Sequence, residues 1–330
     1  MTGQVHVAVV GMGDIGRGWA ALCVACGWPV SIYDHEAHSL QDAVQEVSDR
    51  ARTLTSVGLA SVTEVDQGIG SLKVAGSLLQ ACRDASWVIE AVREDLLAKQ
   101  KVFEGIESVA GNVRVITSSS SGFAIKDVAG RCLRQERCIT AHPLNPVELI
   151  PLVEVAPGPH ADGALVELLK GWLRALGRIP VVINKQVPGN VANRIAAAVW
   201  RECIDLVLNG VVDVQDLDRA VSLGPALGWA AAGPHLTYHL AAGPRGVEGF
   251  LQSLLHHFEN TWQDLATWPR LESDQQNKLV QSIKRAYRDD IDRIRPARDR
   301  RLAGILRSMR GTRPTLDTVV RAARQGPEES

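Results

Sequence analysis

The chain has 330 residues, 45% hydrophobic and 22% charged, and its 36 Lys and Arg against 37 Asp and Glu leave a formal net charge of −1. That length predicts two domains at roughly 100 to 200 residues each, and the composition excludes a disordered or collagen-like chain and disfavours a polyanion binder. No apolar stretch approaches the roughly 20 residues of a membrane span, and no basic stretch precedes a long apolar run near the first residue, so the expectation is a cytoplasmic protein acting on neither membrane nor nucleic acid.

Residues 5–10 (VHVAVV) form a short β-branched apolar run that stops at a glycine cluster, the pattern of a buried parallel strand. The cluster Gly11-Met12-Gly13-Asp14-Ile15-Gly16 leads into helical text, a second strand over 29–33 (PVSIY), and then Asp34, twenty-one residues after Gly13. Strand, glycine turn, helix, strand and terminal acid in that order predict a dinucleotide site. Gly11 allows the tight turn, Gly13 the close approach of backbone to pyrophosphate, and Gly16 the packing of helix on strand. The helix start at Asp14 and Ile15 turns backbone N–H groups and the positive dipole end toward the phosphates. Asp34 accepts from the adenosine ribose and repels a 2′-phosphate, which selects NAD over NADP. Arg17 reads as a solvated helix residue. Cys23 and Cys26 have the C-x-x-C spacing of redox and metal motifs, but no second pair completes a metal set and small thiols pack well in a buried helix. The expectation is reduced cysteines and no metal.

Further strands are expected over 72–74, 87–91, 113–117, 138–141, 149–156 and 179–183, mostly separated by helical text, which predicts an α/β chain built on a doubly wound sheet. Pro188-Gly189 punctuates the end of this pattern and the text from Val191 onward is helical. The expected division is a Rossmann domain over 1–187, an all-helical domain over 188–310 and a flexible tail over 311–330. Residues 284–301 carry eight basic against four acidic residues, which reads as the solvated face of one long helix rather than a nucleic-acid stripe.

Ser118-Ser119-Ser120-Ser121-Gly122 sits at the carboxyl end of a strand, where open α/β sheets place their ligands. His142-Pro143-Leu144-Asn145-Pro146 ends another strand, and twelve residues on Glu154 lies inside the apolar text LIPLVEVAP. A carboxylate there is costly unless paired. A histidine partner supplies the pairing, holding one imidazole nitrogen so that the other can take a proton.

GMGDIG with Asp34, SSSSG, HPLNP with Glu154, and VPGNVANR at 187–194 stand in the order and spacing of the L-3-hydroxyacyl-CoA dehydrogenase superfamily, which the chain resembles over most of its length. It is most similar to the free-acid branch of that family, the gulonate (lambda-crystallin) and carnitine dehydrogenases: SSSSG stands where the acyl-CoA enzymes have SNTSS, and GPHLTYHLAAG at 233–243 resembles the carnitine-type helical domain. The resemblance implies that His142 is the general base, that Glu154 orients it, that Ser121 and Asn193 hydrogen-bond the substrate oxygen, and that Asn145 helps fix the His142 loop. It places Glu94 and Lys99 at the nicotinamide half of the cofactor, although residue types alone read them as an exposed pair five apart on one helix. It also implies a homodimer through the helical domain. One departure stands out: Gly228 occupies the place of an arginine that the relatives carry before the GP turn, which leaves Arg201, His235, Tyr238 and His239 as local candidates for an acid head group. Residues 35–70 hold Glu36, Asp42, Glu46, Asp49, Glu64 and Asp66 against Arg50 and Arg52, a poor site for the phosphates of CoA. A small 3-hydroxy acid, or its phosphonate or sulfonate analogue, is therefore the expected substrate. A 3-hydroxyacyl-CoA dehydrogenase and a non-catalytic, crystallin-like NADH-binding protein are the alternatives.

Overall fold

The computed structural model describes residues 5–36, 40–109, 111–288 and 291–311. They form two compact units, the first running to Arg194 and taking in 297–311 again, the second covering 195–296. The expected tail lies, from residue 312, outside the described residues.

The first unit is built on one eight-stranded sheet: β1 (Val7–Val10), β2 (Val30–Tyr33), β3 (Lys73–Val74), β4 (Trp87–Glu90), β5 (Val115–Ser118), β6 (Cys138–Pro143), β7 (Leu152–Pro157) and β8 (Ile179–Val182). Their order is β3-β2-β1-β4-β5-β6-β7-β8. Each of the eight expected runs forms a strand. All neighbours pair parallel except β6 and β7, which run antiparallel with His142 directly opposite Glu154. Only a short loop joins those two strands, and a parallel return would need a crossover of a dozen residues or more.

Among the described residues these strands are accompanied by the helices α1 (Asp14–Ala25), α2 (Ala43–Ser56), α3 (Val62–Ser71), α4 (Leu78–Cys82), α5 (Leu96–Val109), α6 (Ile125–Val128) and α7 (Gly163–Ala175). Side chains alternate across the pleat, so the central strands feed two cores. Val7, Val9, Ile32 and Ile89 pack with α1 and α7 on one face, and Ala8, Val10, Val88 and Ile116 pack with Phe103 and Ile106 of α5 on the other. At the centre of the first core Trp87 is stacked on Trp172 at 5.9 Å, meets Trp19 edge-on at 5.8 Å, and donates its indole N–H to Thr117 Oγ1 at 2.9 Å. Cys23 is buried on α1 and Cys26 follows it; both are free thiols, and burial pushes the Cys23 thiol well up. Among the described residues no three His, Cys, Asp or Glu side chains group as a metal set.

The second unit is helical. α8 (Ala192–Leu208) leads into it, followed by α9 (Val214–Leu223), α10 (Pro225–Ala232), α11 (Pro234–Ala241), α12 (Gly246–Asp264) and α13 (Ser273–Tyr287); α14 (Ile291–Gly311) leads out of it. Tyr238, Phe250 and Phe258 form its aromatic cluster, with Tyr238 5.0 Å from Phe250 and 5.5 Å from Phe258. The basic stretch over 284–301 is not one helix. α13 stops at Arg288, whose φ of 55° places it in the left-handed region, and α14 starts afresh at Ile291. Among the described residues no helix is long and apolar enough to cross a membrane.

Trp87 is the keystone of the first core, so Trp87→Ala should cost about 3–5 kcal/mol in a denaturant titration, as large-to-small changes of buried aromatics do.

Candidate active site

The turn from β1 into α1 is dictated by close approach. Gly11 has a φ of 100°, and a Cβ there would sit 2.6 Å from the Ala91 carbonyl group; a Cβ on Gly16 would sit 1.8 Å from the Gly11 oxygen. Gly13 differs. It is the N-cap of α1 with no side chain capping the helix, and no atom lies within 4 Å of where its Cβ would be. Free amides at a helix start facing open space form a phosphate cradle. At the end of β2, Asp34 Oδ2 accepts from the Met12 amide at 2.7 Å and Oδ1 from the Glu36 amide at 3.0 Å. The carboxylate is thereby fixed where a ribose would meet it, so the turn and the acid together fit NAD.

Arg17 is not solvated: its Nε donates to the Met12 carbonyl at 2.8 Å, its guanidinium pairs with Glu46, and its side chain is only 21% exposed. The cause is α2 packing along α1, which brings Glu46 alongside. Asp14 Oδ1 accepts from Arg50 at 2.5 Å and Oδ2 from Asn145 Nδ2 at 2.7 Å, so Asn145 ties the loop after β6 to the first turn of α1.

A cleft of about 1040 Å³ runs across the carboxyl ends of the strands, from Tyr33 and Asp34 past Gly13, Asp14 and Ile15 to His142 and Pro143. That matches the upper range of small-molecule sites. His142, 5% exposed, places Nδ1 2.8 Å from Glu154 Oε2. A carboxylate oxygen accepts, so Nδ1 carries the hydrogen and the lone pair of the neutral ring is on Nε2. Glu154, 1% exposed, is satisfied on its other oxygen by the amides of Val191 and Ala192 at the start of α8, each at 2.9 Å.

The opposite wall holds a second buried acid. Glu90 ends β4 at 0% exposure; Oε1 accepts from Lys99 Nζ at 2.9 Å and the Val92 amide at 2.8 Å, and Oε2 from Ser118 Oγ at 2.6 Å. Burial pushes its carboxyl up, against the opposing pull of Lys99 and Ser118. Lys99, on α5, is 1% exposed, not the exposed helix residue expected, and Glu94 lies ahead of α5 rather than on it. Lys99 Nζ also meets the Val92 carbonyl at 3.1 Å and Glu94 Oε2 at 3.2 Å. Burial works to raise Glu94, but Ser120, Lys99 and the Gly122 amide outweigh it and hold that carboxyl below its usual range.

The serine turn is thereby divided. Ser118 and Ser120 are buried on Glu90 and Glu94, whereas Ser119 and Ser121 line the cleft, Ser119 also accepting from the Trp19 indole at 3.1 Å. Reasoning from sequence missed Glu90, although an acid closing the apolar run WVIE carries the same signal that singled out Glu154.

Asn193 sits on the first turn of α8, next to the two amides that bind Glu154, and is not among the residues lining the cleft. Arg201, His235, Tyr238 and His239 all belong to the second unit. There Tyr238 is committed to the aromatic cluster, and His239 Nδ1 accepts from the Val247 amide at 3.0 Å. Gly228 lies within α10.

Gly13 and Gly16 separate binding from folding. Gly13→Ala should leave the thermal midpoint unchanged while weakening NADH binding at least tenfold in a fluorescence titration, because its Cβ enters the phosphate cradle alone. Gly16→Ala should lower the midpoint itself, since its Cβ collides with backbone.

Residues 6–187 match the NAD-binding domain of 3-hydroxyacyl-CoA dehydrogenase, and residues 189–282 match the C-terminal domain of the same enzyme family. An L-carnitine dehydrogenase of Streptomyces coelicolor is 33% identical over 327 residues, covering 98% of this chain and 96% of that protein. An L-carnitine dehydrogenase/betainyl-CoA thioesterase of Ruegeria pomeroyi is 29% identical over 304 residues; 92% of this chain is covered, and the match spans 62% of that longer protein. Among solved structures, 5-formyl-3-hydroxy-2-methylpyridine 4-carboxylic acid 5-dehydrogenase, described as an NAD+ dependent dismutase, superposes with a TM-score of 0.79 at 28% identity, over 93% of this chain and 98% of that one. The fold, the cofactor turn and these matches together make the chain a member of the 3-hydroxyacyl-CoA dehydrogenase family, with an NAD-binding Rossmann domain followed by a helical one.

Proposed function

We propose that the chain interconverts a small 3-hydroxy acid and its 3-keto form, with NAD as the redox partner. The observation that carries this reading is the buried His142–Glu154 pair at one end of a cleft whose other end is Asp34. NAD supplies a hydride acceptor. His142 Nε2 takes the hydroxyl proton as the carbon-bound hydrogen leaves, and Glu154, accepting from Nδ1, orients the ring and stabilises the imidazolium. Ser121, on the cleft wall, holds the substrate oxygen, and Asn145 keeps the His142 loop on α1.

The carnitine dehydrogenases among the relatives favour a free 3-hydroxy acid over a CoA ester, as does the acidic cast of residues 35–70. With glycine at position 228, the acid group is held by a residue other than the arginine of the relatives. Large apolar side chains stand exposed on the helices of the second unit, among them Trp200 at 61% and Trp262 at 56%. A homodimer through that unit would cover them, and a cytoplasmic location belongs to the same reading.

The test is NADH formation against L-carnitine, L-gulonate, both 3-hydroxybutyrate enantiomers, 2-hydroxypropylphosphonate and 3-hydroxybutyryl-CoA. Turnover of a free acid supports the reading; turnover of the CoA ester alone replaces it with an acyl-CoA dehydrogenase, and NADH binding without any turnover with the crystallin-like protein. On the best substrate, His142→Ala should lower kcat by about 10²- to 10⁴-fold, the span of general-base catalysis, with NADH affinity unchanged.

A further inference from the structure

One oxygen of Glu154 is held by backbone. Oε1 accepts from two consecutive amides at the start of α8, Val191 and Ala192, each at 2.9 Å, while Oε2 meets His142 Nδ1 at 2.8 Å. In extended chain successive N–H groups point to opposite sides; they converge on one anion where a left-handed residue is followed by residues of the ordinary hand. Asn190 makes that change of hand. Its φ is 50°, Gly189 ahead of it has a φ of 76°, and neither Val191 nor Ala192 has a positive φ. The Asn190 amide closes the turn by donating to the Val187 carbonyl at 2.9 Å. The side chain of Asn190 is a different matter. The residue is 0% exposed, and among the described residues neither its amide oxygen nor its amide nitrogen has a hydrogen-bond partner. Burying unpartnered polar atoms is costly, so a side-chain hydrogen bond is not what suits asparagine to this position. What asparagine offers is its backbone: after glycine it is among the residues that enter the left-handed region most readily, whereas a β-branched residue there is an outlier.

We propose that Asn190 is a positioning residue that acts through its backbone, its left-handed turn aiming the Val191 and Ala192 amides at Glu154 and so fixing the carboxylate that orients the His142 ring. The proposal rests on the reading of His142 as the base. Its side chain touches neither substrate nor cofactor, and the chemistry stays with His142.

Asn190→Gly and Asn190→Val separate backbone from side chain. Glycine removes the amide group and keeps the left-handed turn; valine, close to asparagine in volume, removes both. The Nδ1–H proton of His142 is followed by NMR in the full chain, its signal identified by its absence from His142→Ala, and kcat is read on the best substrate of the panel with NADH affinity beside it. The glycine variant should retain the Nδ1–H signal and keep kcat within about threefold of wild type, whereas the valine variant should lose the signal to solvent exchange and lower kcat roughly ten- to hundredfold, with NADH affinity held within about twofold in both. Loss of signal and rate in the glycine variant overturns the proposal, because the amide group is then what matters. A valine variant that keeps both overturns it equally, and a parallel loss of NADH affinity marks a general loosening of the fold and counts against it. Should the valine variant fail to fold, Asn190→Ala must show the same loss relative to Asn190→Gly, alanine being likewise disfavoured in the left-handed region. The NMR signal needs no substrate, so if nothing in the panel turns over it decides alone, and failure here is distinct from failure of the substrate reading.

Discussion

A carboxylate buried in the middle of a sheet must be matched by donors or it destabilises the fold by several kcal/mol, and Glu154 is such a group. Its donors come from two distant parts of the chain, the His142 ring on β6 and the Val191 and Ala192 amides at the start of α8. One side chain therefore fixes the register of β6 on β7, the ring plane of His142 and the origin of the helix carrying Asn193. The register is as much part of the site as the residues are. Slipping β7 by one position would turn Glu154 to the opposite face of the sheet, leaving the carboxylate unmatched and His142 without its orienting partner.

Glu90 is the counterpart on the other side of β5. Both acids are buried, yet their partners give them different capacities. The partner of Glu154 is an imidazole whose second nitrogen is available to gain and lose a proton. The partner of Glu90 is an ammonium with all three hydrogens engaged, which anchors charge and moves none. The serine turn after β5 lies between them and divides itself accordingly, alternate hydroxyls going to the wall and to the cleft. Four consecutive serines are thus two pairs with separate work, the buried pair also accepting backbone amides of the turn: Ser118 that of Ser120, and Ser120 those of Gly122 and Phe123.

The central strands were legible because buried parallel strands read as unbroken apolar runs bounded by glycine and polar turns; the edge strands β3 and β8 form where expected although they are mostly exposed. The glycine turn and Asp34 were legible because their spacing is set by the geometry of one strand–helix–strand unit. What a one-dimensional pattern does not carry is which charged residues meet. Arg17 reads as solvated because Glu46, its partner, is twenty-nine residues away on α2. Lys99 reads as an exposed helix residue because the acid that draws it inward closes a strand nine residues earlier. Residues 284–301 read as one helix because the break at Arg288 carries neither glycine nor proline, its left-handed backbone being adopted without the usual signal.

Cofactor choice is bound to the fold in the same way. A carboxylate at Asp34 would repel a 2′-phosphate on a ribose bound beside it, and its oxygens also accept the Met12 and Glu36 amides, so the same side chain closes the glycine turn. A neutral replacement keeps at most one of these two acceptors: asparagine would meet either the Met12 or the Glu36 amide with an NH2 group, at a cost comparable to an unmade hydrogen bond. Gly13 carries no such double duty, since nothing in the protein fills the space beside it. A change at Gly13 is therefore separable from stability and a change at Asp34 is not, so the acid that would face a ribose is bound to how the first thirty-odd residues fold.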